Sequence, residues 1–356
     1  QFPEAKASFD RGFRMKHGGS WWNAKTYEEG KLNSIHEQDT PFLASTFKLQ
    51  DNIDQLEHLV ENGLIDRSFQ RVVDRYQTVC QELRSETEVE KAIKLTPSQL
   101  GQLGASYDRV IHYVQAPRLP MDAVNPNLDF QSIENRYFAS SLPVISFDNL
   151  LTETALRELR KFCLESTIYF DFVGNNFVAS NIGGGFNCDL LYQIAQELQR
   201  YFPKLLGRHS LSNIWTYRYN NATEGVAPHT DQGAVTLNFW ITPNNANLSP
   251  ERGGLKVFPK EQPPDWNWRR YNSQKYTPEI RKEILQFLAN VDPMTVPYQQ
   301  NRATLFKSNL FHKSDLINFK QGFDNRRVNI TMLFGKRGRH DEGVVGENTR
   351  VATTGK

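Results

Sequence analysis

His229-Thr230-Asp231, answered far downstream by Phe311-His312-Lys313 and then by Arg326-Arg327, holds the residue types in this chain that could do chemistry. Two imidazoles and one carboxylate can cap one face of an octahedral iron(II). The opposite face then stays open to small molecules, as in 2-His-1-carboxylate sites. A fixed arginine behind such a triad can hold the far carboxylate of a 2-oxo acid by a two-pronged contact. Side chains of an extended chain alternate faces, so His229 and Asp231 point to one side and can grip a single metal edge-on. His312, closing the run Leu305 to Phe311, is the third candidate ligand. A lone His-x-Asp arises often by chance, and a lone histidine is more often a loop or strand-end residue. The combination with the arginines and the strand context carries the expectation. No catalytic residue is expected beyond the metal ligands.

In Arg326-Arg327-Val328-Asn329-Ile330-Thr331-Met332, alternation puts Arg327, Asn329 and Thr331 on one face and the apolar residues on the other. An arginine flanked by an amide and a hydroxyl suits a buried carboxylate. Arg327 is the expected anchor and Arg326 the alternative; a solvated charge doublet at a strand start is the plainer reading of whichever faces out. The same alternation groups Thr236 with Asn238 and Trp240, and Trp215 with Tyr217 and Tyr219. Tyr219, Asn238 and Asn329 are candidates for cosubstrate contacts, set against ordinary strand packing with satisfied polar tips. Trp240, Tyr217 and Trp266 are candidates for substrate contacts. Gly183-Gly184-Gly185 lacks the flanking residues of a phosphate loop and reads as a turn, as does Arg252-Gly253-Gly254.

Elements must carry these residues. From Gln1 to about Thr40 the chain has no clean period and either wraps over the body as irregular structure or docks through Trp21-Trp22. Helical stripes follow. Ile53, Leu56, Leu59 and Val60 make one, stopped near Gly63; Phe69, Val72, Val73, Tyr76, Val79, Cys80 and Leu83 make a second. A third begins at Thr96-Pro97 and runs through Leu103 and Tyr107 to Ile111. Pro117 to Pro126 reads as a linker. Strands are then expected at 143–147, 213–219, 235–241, 255–258, 303–308 and 327–334, with helices near Thr152 and from Asp189 to Tyr201. An insertion, Pro263 to Gln300, carries Trp266, Trp268, Arg269, Arg270 and Tyr271, and a helix through Ile280 to Leu288; it is a lid or a surface excursion packed by its own aromatics. The expected fold is α+β, a double-stranded β-helix (jelly-roll) core with backing helices and an N-terminal helical layer. The expected divisions are 1–135, 136–340 and a tail at 341–356.

The 356 residues carry 38% hydrophobic and 12% aromatic side chains, enough for a packed body. A net charge of +2 gives no reason to invoke nucleic acid or an anionic membrane, and no apolar run approaches a membrane span. Cys80, Cys163 and Cys188 are few and odd in number, which points to a reducing, cytoplasmic setting. Sequons at Asn221, Asn247 and Asn329 argue the other way, but Asn329 falls in an expected buried strand. A small-molecule or peptide substrate is the expected partner, with the N-terminal helices as a surface for self-association.

These residues resemble the iron(II)/2-oxoglutarate-dependent oxygenase superfamily over about Leu142 to Arg337. The resemblance rests on His229-Thr230-Asp231, the glycine turn before Leu255, His312, and the arginine of the last strand. It implies that the triad binds iron(II), that Arg327 or Arg326 holds the tail of 2-oxoglutarate, and that dioxygen is the second cosubstrate. Both arginines stand late in the interval the family leaves after its second histidine. Tyr219 matches a cosubstrate tyrosine of prolyl-hydroxylase-like members. The N-terminal helices, with Thr46-Phe47-Lys48-Leu49, Asn238-Phe239-Trp240-Ile241-Thr242-Pro243 and Asn301-Arg302-Ala303, resemble a branch in which a helical segment precedes the oxygenase fold. The implied reaction is hydroxylation of an unactivated C–H in an amino acid, peptide or natural product, with release of succinate and carbon dioxide. Asp231 stands where the family's halogenases carry a small residue, so halogenation is disfavoured. Two other classes are a catalytically silent metal-binding or interaction protein, and zinc hydrolysis, for which the nearby candidate base Glu224 has no evident reason to face the open position.

Overall fold

The computed structural model describes residues 2–17, 42–86, 92–174, 176–266 and 277–337. Trp21, Trp22, Trp268, Arg269, Arg270, Tyr271 and the 341–356 tail lie outside them. Helix α1 (Phe2–His17) comes first. The expectation here was irregular structure, and the difference has a local cause. Phe9, Phe13 and His17 recur at four-residue spacing, so a single helical face can dock. Phe13 is buried against Tyr113 and Phe170, and the His17 ring stacks on Phe170 at 4.1 Å. The glycine triplet serves this docking. Gly185 has φ +100°, and a Cβ there would lie 2.4 Å from the Phe13 ring.

Next come β1 (Leu43–Ala44), α2 (Thr46–Glu61), α3 (Gln70–Glu86), β2 (Ile93–Lys94) and α4 (Pro97–Leu103). Ser45 caps α2 by accepting from the Lys48 backbone N–H, and Thr96 with Gln99 forms a reciprocal cap on α4. The stripes Leu49-Ile53-Leu56 and Val72-Tyr76-Val79-Leu83 pack on one another with Leu103 and Tyr107 in one apolar cluster. Helix α4 ends eight residues short of the expected Ile111. Gly104 at φ 68° and Asp108 at φ 56° turn the chain into extended backbone. That extended stretch includes the expected linker.

The rest of the chain builds two facing sheets and their backing helices. In order these are α5 (Phe130–Ala139), β3 (Val144–Phe147), α6 (Glu153–Glu165), β4 (Asp171–Val173), β5 (Phe177–Asn181) and α7 (Asp189–Tyr201). Then come β6 (Leu211–Tyr219), β7 (Ala222–Thr223), β8 (Val235–Trp240), β9 (Leu255–Glu261) and α8 (Pro278–Phe287). The last are β10 (Met294–Val296), β11 (Ala303–Lys307), β12 (Leu310–Ser314), β13 (Ile317–Asn318) and β14 (Val328–Phe334). The large sheet has the order β3-β11-β8-β14-β6-β5-β4, with every pair antiparallel. The small sheet is β10-β9-β12, extended by a single bridge between His229 and His312. This is a double-stranded β-helix.

Alternation sorts the large sheet's two faces. Leu237, Phe239, Leu305, Ile330 and Met332 bury against Leu159, Phe162, Leu191, Ile194 and Leu198 of α6 and α7. The opposite face looks into the space between the sheets, where Tyr219, Trp240, Leu255, Val257, Tyr298 and Phe306 form a separate cluster. The expected continuous run from Leu305 to Phe311 is two strands. The chain turns at Ser308-Asn309 and crosses from the large sheet to the small one, which is how His312 reaches the wall opposite Asn238. Among the described residues no helix is long and apolar enough to cross a membrane.

Candidate metal and carboxylate site

His229 and His312 form a backbone-paired bridge, each N–H donating to the other's carbonyl at 3.0 and 2.9 Å. That pairing sets the imidazole centroids 4.3 Å apart. Asp231, two residues on, is fixed by its own N–H donating to Ser308 O at 2.8 Å. Its carboxylate reaches both rings: Oδ1 lies 3.9 Å from His229 Nε2 and Oδ2 lies 3.5 Å from His312 Nε2. The ligand atoms of the three residues all fall within 4.8 Å of one another, the one such group among the described residues.

The donor set fits a divalent metal on its tautomers. His229 Nδ1 meets Ala227 O at 2.9 Å, and His312 Nδ1 meets Leu310 O at 3.0 Å. A carbonyl can only accept, so each Nδ1 carries the proton and each Nε2 presents its lone pair to the shared point. Burial, then the neighbouring His229, holds His312 down to about 4. It is therefore neutral near pH 7, the form in which imidazole ligates. Asp231 Oδ2 accepts from Thr236 Oγ1 at 2.9 Å, and that hydroxyl also lies 2.9 Å from Ser308 Oγ. Thr236 thus fixes Oδ2, the oxygen nearer His312, and Oδ1 lies toward His229.

Along β8 the same face carries Thr236 beside Asp231, then Asn238, then Trp240. Trp240 pairs across to Asn329 on β14, and Asn238 to Thr331. Arg327 lies just before β14, 1% exposed, its guanidinium 4.7 Å from the Tyr219 ring and 5.5 Å from the Trp240 ring. Thr236 and Trp240 are four positions apart along the strand, about 13 Å at about 3.3 Å per residue.

Arg327 Nε donates to Gly253 O at 2.6 Å and Nη2 to Gly254 O at 3.1 Å, while Nη1 faces Asn329 Oδ1 at 3.4 Å. Among the described residues no carboxylate lies within ion-pair distance of it. Burial lowers its affinity for its proton, opposed by Tyr219 and Tyr298. The Gly253-Gly254 turn is what makes the cradle possible. Gly253 has φ +82°, and a Cβ on Gly254 would lie 1.9 Å from Val296 O.

Arg326 turns the other way, to the helical layer. Its Nη1 donates to Asp51 Oδ1 at 2.7 Å and its Nη2 to Asp54 Oδ2 at 2.5 Å. With its charge satisfied there, on the far side of the strand, it does not share the space between the sheets. Tyr219 is buried with its hydroxyl 3.2 Å from Ser314 Oγ, and Tyr217 sits edge-on to it at 6.1 Å, half-buried. Asn238 Oδ1, Trp240 Nε1 and Thr304 Oγ1 are buried polar atoms without a partner among the described residues, all on the triad's side of the large sheet. Trp266 is not brought there. It packs with Phe287 and Phe311 on the outer side of the small sheet, and the helix of the insertion (α8) closes that cluster.

Sequence reasoning missed the supports: Thr236 and Ser308 on Asp231, and the Gly253-Gly254 carbonyls on Arg327. Thr236 was readable, since it shares the face of Asn238. The carbonyl cradle was not, because backbone acceptors leave no mark in side-chain identity.

No family model matches the chain, and no curated protein matches its sequence. Solved structures do match. The non-heme alpha ketoglutarate dependent epimerase SnoN from nogalamycin biosynthesis is 14% identical, with 64% of this chain and 93% of that one covered at a TM-score of 0.41. HygX from Streptomyces hygroscopicus, solved with nickel and 2-oxoglutarate bound, is 10% identical, with 57% and 86% covered at 0.39. A Pseudomonas putida prolyl-4-hydroxylase is 14% identical, with 63% and 99% covered at 0.34.

Proposed function

We propose that this chain is an iron(II)- and 2-oxoglutarate-dependent dioxygenase that hydroxylates an unactivated C–H of an amino-acid, peptide or natural-product substrate. The observation that carries the reading is Arg327: a buried guanidinium with no carboxylate partner among the described residues, on the same inter-sheet face as a converging His-Asp-His triad. A buried cation in that state favours an anionic ligand, which restores its charge balance. His229, Asp231 and His312 would hold the metal, and Arg327 the far carboxylate of the 2-oxo acid.

Iron(II) bound there supplies oxygen activation coupled to decarboxylation of the 2-oxo acid. The chain's own part is positional. The two Nδ1–H···O=C contacts prevent the imidazoles from rotating out of the donor arrangement, and Thr236 keeps Asp231 turned to them. The apolar cluster of Phe306, Leu310, Val257 and Tyr219 excludes bulk water from the ligand's stem. His229, more open than its partner, marks the side from which substrate approaches.

The test is succinate release from 2-oxoglutarate in the presence of iron(II) and oxygen, with candidate substrates screened by mass for a gain of one oxygen. Succinate formation that Asp231→Ala abolishes supports the reading. No turnover in wild type, or full turnover in the variant, refutes it.

A further inference from the structure

We infer that the indole N–H of Trp240 is the second donor to the ligand carboxylate held by Arg327, which makes Trp240 a specificity determinant for a 2-oxo acid with a charged tail. The inference rests on the reading above. An arginine alone can clamp a carboxylate by a two-pronged contact when its fork is free. Here three of the five N–H groups are occupied. Nε and Nη2 donate to the carbonyls of Gly253 and Gly254, and Nη1 donates to Asn329 Oδ1 at 3.4 Å, which leaves one N–H on each terminal nitrogen for a ligand. A carboxylate offers about four lone-pair sites, so two N–H groups leave it room for a donor from elsewhere.

The two tyrosine hydroxyls beside Arg327 are already engaged. Tyr298 donates to Thr242 O, and Tyr219 shares a hydrogen bond with Ser314. Trp240 is fully buried, its Nε1 has no acceptor, and the Arg327 guanidinium lies 5.5 Å from its ring. Indole is a donor only, and a buried donor left unpaired costs about 1–3 kcal/mol. Phenylalanine would pack against Tyr298 without that cost. An N–H at this spot, beside a guanidinium with two N–H groups still to place, fits an acceptor that arrives with the ligand.

Binding to zinc-loaded protein separates the possibilities, using 2-oxoglutarate and 2-oxopentanoate, which has the same chain length but no far carboxylate. A hydrogen bond to a charged group is worth about 1.5–3 kcal/mol, so Trp240→Phe is expected to weaken 2-oxoglutarate binding about 10- to 100-fold. Its affinity for 2-oxopentanoate and its metal stoichiometry should match wild type. In wild-type protein, the Trp240 indole N–H resonance should move on addition of 2-oxoglutarate and stay in place with 2-oxopentanoate; this arm needs no variant to fold. Unchanged 2-oxoglutarate affinity in Trp240→Phe, equal loss of both acids, or an unmoved resonance overturns the inference. If Arg327→Ala alone abolishes discrimination between the acids, the proposed function stands and the role of Trp240 falls. If wild type binds neither acid, both fall.

Discussion

Asp51→Ala is expected to be among the most damaging substitutions in the helical layer, although Asp51 is remote from the metal ligands in sequence. Asp51 is fully buried on α2 and faces the large sheet. Its Oδ1 accepts from Arg218 Nε at 2.9 Å and Arg326 Nη1 at 2.7 Å, and its Oδ2 from Arg218 Nη2 at 2.5 Å. One carboxylate therefore balances two guanidiniums from β6 and from the lead-in to β14. After its removal Arg326 keeps Asp54, but Arg218 is left with the Cys163 carbonyl, a 3.3 Å contact to Gln55 and the faces of Tyr169 and Phe323, none of them an anion. A fully buried guanidinium without its partner costs about 3–5 kcal/mol. Asp54 is partly exposed and its loss leaves Arg326 paired to Asp51, so Asp54→Ala should cost about 1 kcal/mol or less. Urea unfolding followed by far-UV circular dichroism gives both values from the midpoint shift at constant slope. Equal costs for the two variants, or an Asp51→Ala cost below about 1 kcal/mol, would refute the reasoning.

Two further outcomes follow from the geometry. Gly254→Ala puts a methyl group into the Val296 carbonyl, so the start of β9 must move and take the Arg327 cradle with it; 2-oxoglutarate affinity should fall at least about tenfold, the worth of one charged hydrogen bond, and wild-type affinity would contradict this. His17, held neutral by burial despite the Asp108 carbonyl, titrates below its ordinary value. The unfolded chain then binds the extra proton as pH falls below about 6.5, so the docking of α1 loses up to about 1.4 kcal/mol per pH unit until the folded group also titrates. Hydrogen exchange of α1 at pH 5 against pH 7.5 should show the loosening, and His17→Phe should remove the difference; equal protection at both pH values in wild type would count against it.

Much of the candidate site was legible because strand alternation leaves a direct record. Thr236-Asn238-Trp240 and Arg327-Asn329-Thr331 face one way in the structure, and Val328-Ile330-Met332 pack into the helix-backed core. The choice between Arg326 and Arg327 was not settled by sequence, since a one-residue slip exchanges faces. What separates them is long-range: Asp51 and Asp54 on α2 claim Arg326. The corner at Ser308-Asn309 was hidden for a similar reason. Both flanks read as strand, and only the pairing of β12 with β9 shows the change of sheet. Helix α1 was obscured by polar residues around a narrow contact face, and α5 by its place across the expected boundary at 135.

The claim on which the proposed function depends is that His229, Asp231 and His312 together hold one ferrous ion. Anaerobic equilibrium dialysis of iron(II) against the full chain and against Asp231→Ala tests it directly. The expected result is one iron per chain in wild type and loss of that saturable site in a variant whose circular dichroism is unchanged. Absence of a saturable site in wild type, or equal retention of iron by Asp231→Ala, would contradict it.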